Sequence, residues 1–167
     1  MISLYTPKIE ELSFRQAFLA DPATMAYNAR WGGCIDFPQK KWADWYDRWI
    51  VNTQRKRFYA YLYNGEEKCF IGEVACHLDE ESGRYLLNVL VHDRFRGRGY
   101  GTKGLELLCA QCRKMGCTEV YDDIAVDNPS LSLFLKQGFC EVGRTEDAVI
   151  VKNTCKNDRK KGSTWQR

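Results

Sequence analysis

The sequence predicts one mixed α+β domain, built on a mostly antiparallel central sheet flanked by helices. The 167-residue chain changes from helical to alternating periodicity at Arg57, and three strand patterns separated by polar turns follow. A single strand–helix–strand unit comes next, and a right-handed crossover makes its two strands parallel. The hydrophobic share of 44% is enough for one core. We therefore expect a single domain over residues 1–153 and a basic, flexible tail over residues 154–167.

The N-terminal part is predicted to begin with a strand over residues 2–5 and to continue as helices. The first helix has Ile9, Leu12 and Phe18 among its apolar positions. A second helical piece is expected after Asp21, because aspartate can cap a helix and Pro22 fits its first turn. Residues 28–37 contain two consecutive glycines and are predicted to form a loop.

A helix that opens at Pro38 carries an aromatic stripe. Its rings recur at i, i+3, i+4 and i+7, which places them on one helix face. Such a stripe is typical of core packing, and the functional alternative is the wall of an acceptor pocket completed by Tyr27 and Trp31. The stripe consists of Trp42, Trp45, Tyr46 and Trp49.

Three strands are expected to form an antiparallel meander. The first starts at Arg57, and the Asn64-Gly65 pair is a hairpin signal. Its partner covers residues 69–77. The third strand, residues 85–91, is apolar on both faces except for Asn88, so it should be central.

The second half is predicted to cross over the sheet and complete it. A helix with an apolar face from Leu105 to Met115 should end at Gly116, a position suited to a left-handed cap. The strand that follows should lie parallel to the third strand. That strand should cover residues 118–126. A short helix should follow between Asn128-Pro129 and Gly138, with Leu131, Phe134 and Leu135 on one face. Strands over residues 139–143 and 148–152 should complete the sheet.

Composition narrows the class of protein. The net charge of +3 is too small to argue for nucleic acid, and much of the excess lies in the basic tail. No apolar run approaches the ~20 residues of a membrane span, and the first twenty residues lack a signal peptide. We expect a cytoplasmic protein with reduced cysteines. Cys109 and Cys112 spell CxxC without a second pair at metal spacing, so we interpret them as buried small hydrophobes and expect no metal.

The most informative stretch runs from Leu86 to Gly104: an apolar strand, a basic loop and a glycine-rich turn that opens a helix. N–H groups at a helix start have no intrahelical partner and lie at the positive end of the helix dipole. They suit a phosphate, and nearby cations strengthen the site. These cations are Arg94, Arg96, Arg98 and Lys103.

A dinucleotide site is the first alternative, since Gly99 to Gly104 fits G-x-G-x-x-G and Asp122 or Asp123 could bind a ribose. In that fold, however, the first glycine follows the strand directly, whereas residues 92–98 intervene here. The fold also needs repeated βαβ units. A P-loop is excluded because the sequence contains no Gly-Lys-Ser/Thr.

Arg96-Gly97-Arg98-Gly99-Tyr100-Gly101 resembles the Arg/Gln-x-x-Gly-x-Gly/Ala signature of the GNAT superfamily of N-acetyltransferases. Asn128-Pro129-Ser130, with Gly138-Phe139 downstream, resembles that family's second landmark. The resemblance implies a parallel strand pair splayed into a V-shaped cleft. It also implies acetyl-CoA or another short acyl-CoA as co-substrate, an amine acceptor of unknown identity, and a monomer or homodimer.

The resemblance further implies which residues hold the donor. The pyrophosphate would lie on the N–H groups of residues 97–102, and the pantetheine arm would pair with residues 89–91. The implied cofactor-binding set is Val89, Leu90, Val91, Arg96, Gly97, Arg98, Gly99, Tyr100, Gly101, Thr102, Asn128 and Phe134.

The implied mechanism is direct attack, with a carboxylate as base and the backbone N–H of Leu90 contacting the oxyanion. Two departures from the family pattern stand out: residues 85–91 hold no glutamate, and the position of the usual proton-donating tyrosine is Phe134. These departures support the alternative of a non-catalytic acyl-CoA sensor or interaction module.

The base must therefore be sought outside the central strand. We favour Asp123, because one alignment register keeps Val120 and Ile124 on a common apolar face. Asp122, Glu73 and His77 stay open as rivals, and a salt-bridge role is the alternative for each.

Overall fold

The computed structural model describes residues 1–155, so the predicted basic tail lies outside the described residues from position 156 onward. Seven strands form one sheet whose spatial order is first, second, third, fourth, fifth, seventh, sixth. Only the fourth and fifth strands run parallel, which confirms the mixed, mostly antiparallel α+β prediction. The strands are β1 Ile2–Tyr5, β2 Arg57–Asn64, β3 Cys69–Asp79, β4 Arg84–Val91, β5 Glu119–Ala125, β6 Cys140–Arg144 and β7 Ala148–Thr154.

Five α-helices accompany the sheet, joined by short 3₁₀ turns and one π turn. No helix within residues 1–155 has both the length and the hydropathy to cross a bilayer. The helices are α1 Leu12–Leu19, α2 Pro22–Met25, α3 Trp42–Tyr46, α4 Tyr100–Lys114 and α5 Leu131–Lys136. The 3₁₀ turns cover Ile9–Glu11, Ala26–Trp31, Gln39–Lys41 and Asp93–Phe95, and the π turn covers Asp47–Val51.

Helix ends follow the predicted capping chemistry. The Asp21 carboxylate accepts the Thr24 N–H at 3.0 Å and so caps α2. Gly116, with φ +88°, lies just beyond α4. The predicted loop over residues 28–37 is wrong at its start, because Ala26–Trp31 forms a 3₁₀ helix that ends at Gly32, a left-handed residue.

The aromatic stripe is part of the core. The Trp45 ring packs edge-on against Tyr59 at 4.7 Å between centroids and stacks on Trp49 at 6.0 Å. Trp42 and Trp45 also pack beside Phe37. Because these rings are inserted between α3 and the sheet, core packing is their main role.

The two faces of the sheet bury different layers. One face, with Tyr59, Tyr61 and Leu90, lies under α1 to α3. The opposite face packs against α4 and α5, and α5 contributes Phe134, whose ring meets Phe139 edge-on at 5.1 Å. Leu135, expected on the buried face of α5, is 45% exposed, because the six-residue helix buries only Phe134.

The centre of the sheet is split. β3 and β4 are in register over eight residue pairs, whereas β4 and β5 share a single pair, Leu86 opposite Tyr121. Beyond that pair, β4 continues without a strand partner on its β5 side. This separation leaves a V-shaped opening between two parallel strands.

Candidate active site at the strand splay

The glycine-rich turn has the backbone of an anion site. Gly97 and Gly99 have φ +74° and +79°, which favours glycine at both positions. The Lys103 N–H donates to the Gly99 carbonyl at 3.1 Å, the first helical hydrogen bond of α4. The N–H groups of Tyr100, Gly101 and Thr102 therefore have no intrahelical partner. Together with the helix dipole they suit a phosphate.

Two glycines of α4 allow the turn to lie close to the sheet. A Cβ at Gly101 would come within 3.0 Å of Leu133 Cδ1, and one at Gly104 within 2.9 Å of Leu62 Cδ1. A Cβ at Gly104 would also lie 3.3 Å from Val89 Cγ1. The start of α4 is thereby held beside the unpaired part of β4.

Arg96 braces this turn. Its Nε donates to the Val91 carbonyl at 3.1 Å, and its Nη2 donates to the Thr24 carbonyl at 2.6 Å. The guanidinium thus ties the turn to β4 and α2 instead of pointing free toward a phosphate. Arg98 lies on the rim, where it pairs with Glu67 at 3.1 Å.

The backbone of β4 presents alternate residues to the cleft. The His92 N–H donates to the Ile71 carbonyl at 2.8 Å, on the β3 side. Since strand N–H groups alternate, Leu90 also points its N–H toward β3, and Val89 and Val91 point theirs toward the cleft. The Leu90 N–H is thus directed at β3, whereas the Val89 N–H points into the cleft beyond the Leu86–Tyr121 pair.

The two adjacent acids of β5 differ in exposure. Asp123 is exposed, and Asp122 is partly buried on the strand face shared by Val120 and Ile124. Burial raises the pKa of Asp122 to about 8, opposed only in part by a backbone hydrogen bond from Asp123. Asp122 also follows Tyr121, the last β5 residue paired with β4. These differences favour Asp122 over Asp123 as the candidate base.

Glu73 is engaged in a buried ion pair. Its carboxylate accepts hydrogen bonds from Arg15 on α1 and from the Tyr59 hydroxyl. Burial alone would lower the pKa of Arg15, but the Glu73 charge raises it above its ordinary value. The Arg15 guanidinium lies 4.8 Å from the Trp45 ring centroid. Both oxygens of this carboxylate accept hydrogen bonds within the protein, which argues against Glu73 as the base.

His77 lies level with the last β4–β5 pair and not beside the unpaired part of β4. It is opposite Leu86 at the far end of the β3–β4 ladder, and its ring meets Trp49 edge-on at 5.8 Å. Burial lowers the pKa of His77. Its position removes it from the set of rivals at the cleft.

Tyr27 is the cleft residue whose chemistry the sequence missed. It lies in the 3₁₀ turn after α2 and packs against the cluster around Leu90. Burial, then the charges of Glu73 and Asp122, raise the pKa of Tyr27 to about 12. The 3₁₀ turn has no regular apolar periodicity, so the sequence showed only that position 27 carries an aromatic ring. Trp31, the other ring assigned to an acceptor wall, is 49% exposed.

Arg30 fixes the turn that carries Tyr27. Its guanidinium pairs with Asp127 at 3.3 Å and with Asp147 at 2.9 Å. These acids lie after β5 and before β7. The double pair therefore joins the Tyr27 turn to the loops beyond Asp122.

Asn128 and Phe134 shape α5. The Asn128 side chain accepts the Ser130 N–H at 2.9 Å just before the helix. Phe134 is 3% exposed and carries no transferable proton. Both hold α5, whose Leu133 lies against Gly101, next to the glycine turn.

A surface hollow of about 440 Å³ lies elsewhere, between Trp49, Arg57 and Lys114. Trp49, from the aromatic stripe, lines it, but none of the candidate bases or of the expected CoA-binding residues does. We place the candidate site at the splay, because the anion turn, the free β4 backbone and Asp122 converge there.

Comparison with known proteins relates the chain to acetyltransferases. The acetyltransferase (GNAT) family profile matches residues 18–139. An uncharacterized N-acetyltransferase of Methanocaldococcus jannaschii is 29% identical over 112 residues, which is 63% of this chain and 48% of the relative. The chain thus spans about half the length of that relative.

Solved structures share the fold at low identity. An N-acetyltransferase from Staphylococcus aureus Mu50 is 15% identical, with a TM-score of 0.72 over 93% of this chain and 99% of its own. A spermidine N-acetyltransferase from Vibrio cholerae, in complex with CoA and spermine, is 15% identical, with a TM-score of 0.73 over 92% of this chain and 95% of its own.

Proposed function

This chain belongs to the acetyltransferase (GNAT) family, and on that premise we propose that it transfers an acetyl group from acetyl-CoA to a primary amine. The observation that carries the proposal is the separation of β4 and β5 beyond the Leu86–Tyr121 pair, directly beside an anion-binding turn. The CoA complex of the Vibrio cholerae relative supports the donor. The acceptor is a small-molecule or a protein amine.

The donor would lie along the turn and the free strand edge. We assign the pyrophosphate to the N–H groups of Tyr100, Gly101 and Thr102. The amides of the pantetheine arm would pair with the cleft-facing backbone of Val89 and Val91 as an added strand does. Arg96 acts here as a positioning residue, because its hydrogen bonds connect the turn to Val91.

The acceptor amine must lose a proton to react, because an alkyl ammonium has a pKa near ~10.4. We assign that proton to the Asp122 carboxylate. With a pKa of about 8, the Asp122 carboxylate is a far stronger base than an ordinary aspartate. Only the deprotonated form can accept the amine proton, so turnover should rise as pH passes through that value. The amine nitrogen then bonds to the thioester carbon, and the Val89 N–H donates to the oxyanion.

Collapse of the tetrahedral intermediate breaks the carbon–sulfur bond and releases the CoA thiolate. Phe134 has no proton to give. Tyr27, with its pKa raised to about 12, is suited to donate a hydrogen bond but is a weak acid. The thiolate therefore takes its proton from water.

Ligand stabilisation tests donor binding. Acetyl-CoA at ~100 times its dissociation constant should add about 2.7 kcal/mol to the free energy of unfolding. NAD and ATP at the same concentration serve as comparison ligands. Absence of stabilisation by any CoA ester would contradict the proposal.

Turnover is measured separately, as thiol release across a panel of amines, corrected for hydrolysis. Asp122→Asn should lower kcat/KM by ~10²–10⁴-fold and leave acetyl-CoA stabilisation intact. Asp123→Asn, an exposed neighbour, is the matched control and should stay close to wild type. Stabilisation by CoA without turnover of any amine would instead support a non-catalytic acyl-CoA sensor.

A further inference from the structure

Three cysteines from separate parts of the chain meet in the core. Cys76 lies on β3, Cys112 in the last turns of α4, and Cys117 just before β5. Their Sγ atoms all lie within 4.8 Å of one another. Cys76 and Cys112 are fully buried and Cys117 is 5% exposed. The fold therefore gathers three soft donor atoms at one point.

The local fold holds these donors in place. The Cys117 N–H donates to the Cys112 carbonyl at 3.0 Å, across the left-handed Gly116. Cys76 is opposite Leu87 in the β3–β4 ladder, so its backbone is fixed by a central strand pair. In a tetrahedral site with zinc–sulfur bonds of about 2.3 Å, two sulfur atoms lie about 3.8 Å apart. The Sγ atoms of this cluster are separated by up to 4.8 Å, so the widest pair would have to approach by roughly 1 Å.

Two of the three thiols bind their protons more tightly than a free cysteine does. The hydrogen bond between Cys112 and Cys76 and then burial raise the pKa of Cys112, and burial chiefly raises that of Cys117 to about 11. A cation that binds here must displace those protons.

We propose that Cys76, Cys112 and Cys117 form a thiolate site for a soft divalent cation of the zinc class. Binding replaces three S–H bonds by three metal–sulfur bonds and releases three protons to solvent, leaving one net negative charge at the centre. The positive charge of Arg113, which acts on Cys112, partly offsets that excess. The bound cation would fix the C-terminal end of α4 to β3, at the opposite end of the helix from the glycine turn.

The test uses the full chain in a Cys34→Ser, Cys140→Ser background, which removes the two exposed thiols. The reduced, metal-stripped protein is titrated with Cd²⁺, and thiolate-to-cadmium charge-transfer absorption is followed in the ultraviolet. We expect saturation at one Cd²⁺ per chain, release of three protons, and displacement of the Cd²⁺ signal by Zn²⁺. Circular dichroism confirms that each protein is folded.

Cys112→Ser in that background should abolish the charge-transfer band. Cys69→Ser, which changes another β3 cysteine outside the cluster, should retain it. A folded Cys112→Ser variant with an undiminished band would overturn the proposal. So would a folded background protein that shows no band at all, a result that does not depend on whether any cluster variant folds.

Discussion

Arg15 on α1 and Glu73 on β3 form a buried ion pair directly behind the cleft strand. Only 3% of the Glu73 side chain and 15% of the Arg15 side chain are exposed. Glu73 is opposite Leu90 in the β3–β4 register, so the pair anchors an N-terminal helix to the centre of the sheet. Removing one partner of this pair would leave the other partner buried and unpaired, which costs stability.

Arg15→Ala should therefore leave an unpaired buried carboxylate and lower the free energy of unfolding by about 3–5 kcal/mol. Urea denaturation measures this loss. Lys56→Ala is the matched control, because it breaks the exposed Lys56–Glu80 pair; that variant should lose less than about 1 kcal/mol. Equal losses in the two variants would refute a special role for the buried pair.

Asp122 should make stability depend on pH. Its pKa rises from 3.8 unfolded to about 8 folded, so the folded chain keeps a proton that the unfolded chain releases between these values. The Asp122 contribution to the free energy of unfolding is fully present below the unfolded pKa. It declines as pH rises toward the folded pKa, by at most about 1.4 kcal/mol per pH unit.

Asp122→Asn should remove this decline, as measured by urea unfolding at a series of pH values between about 4 and 8. Asp123→Asn, which changes an exposed carboxyl, should keep the wild-type slope. Parallel curves for wild type and Asp122→Asn would show that the Asp122 carboxyl does not hold a proton in the folded chain.

The role of the glycine turn in binding can be tested with two alanine variants that carry the same backbone strain. Gly99 and Gly83 have φ +79° and +69°, and a Cβ at either position would meet no atom within 4 Å. Alanine at either should cost about 1–2 kcal/mol of stability through the left-handed backbone. Only Gly99→Ala, at the anion turn, should also weaken acetyl-CoA binding, measured by calorimetry. Equal affinity in the two variants would contradict our placement of the pyrophosphate.

The aromatic residues can be separated into core and surface by stability. Trp45→Ala removes a ring packed on Tyr59 and Arg15 and should cost on the order of 3 kcal/mol. Trp31→Ala changes a ring that is 49% exposed and should stay within about 0.5 kcal/mol of wild type. Thermal unfolding distinguishes them. If Trp45→Ala left the stability unchanged, the Trp45 ring would again be a candidate for the acceptor wall.

The strands of the meander were predictable because alternation is a strong local signal. The expected strands at residues 57, 69 and 85 begin within one residue of β2, β3 and β4. The stretch from Ala26 to Val51 was less predictable, because 3₁₀ and π turns have no single apolar period. The outline of the anion turn followed from its glycines, whose backbone requirements are local.

The side chains of the candidate site were harder to predict, since the environment of each depends on a long-range relation. A shift of one residue moves a strand side chain to the other face, and that difference decides between Asp122 and Asp123. The same alternation assigns the cleft-facing N–H to Val89 instead of Leu90. The partner of Glu73 is Arg15, 58 residues away in sequence, and no local pattern predicts it.

The position of β7 has a consequence for how the chain assembles. β7 lies between β5 and β6, so β6 leaves the ribosome before the strand that it pairs with. The β1–β4 meander can close as soon as its hairpins are synthesised, but β6 must wait for Ala148–Thr154 to insert. Until then one edge of β5, including the backbone of Asp122, lacks its neighbour. A chain truncated within β7 would therefore hold a complete β1–β4 meander beside an incomplete second part of the sheet. The unpaired strand edges of that state would be accessible to chaperones and proteases.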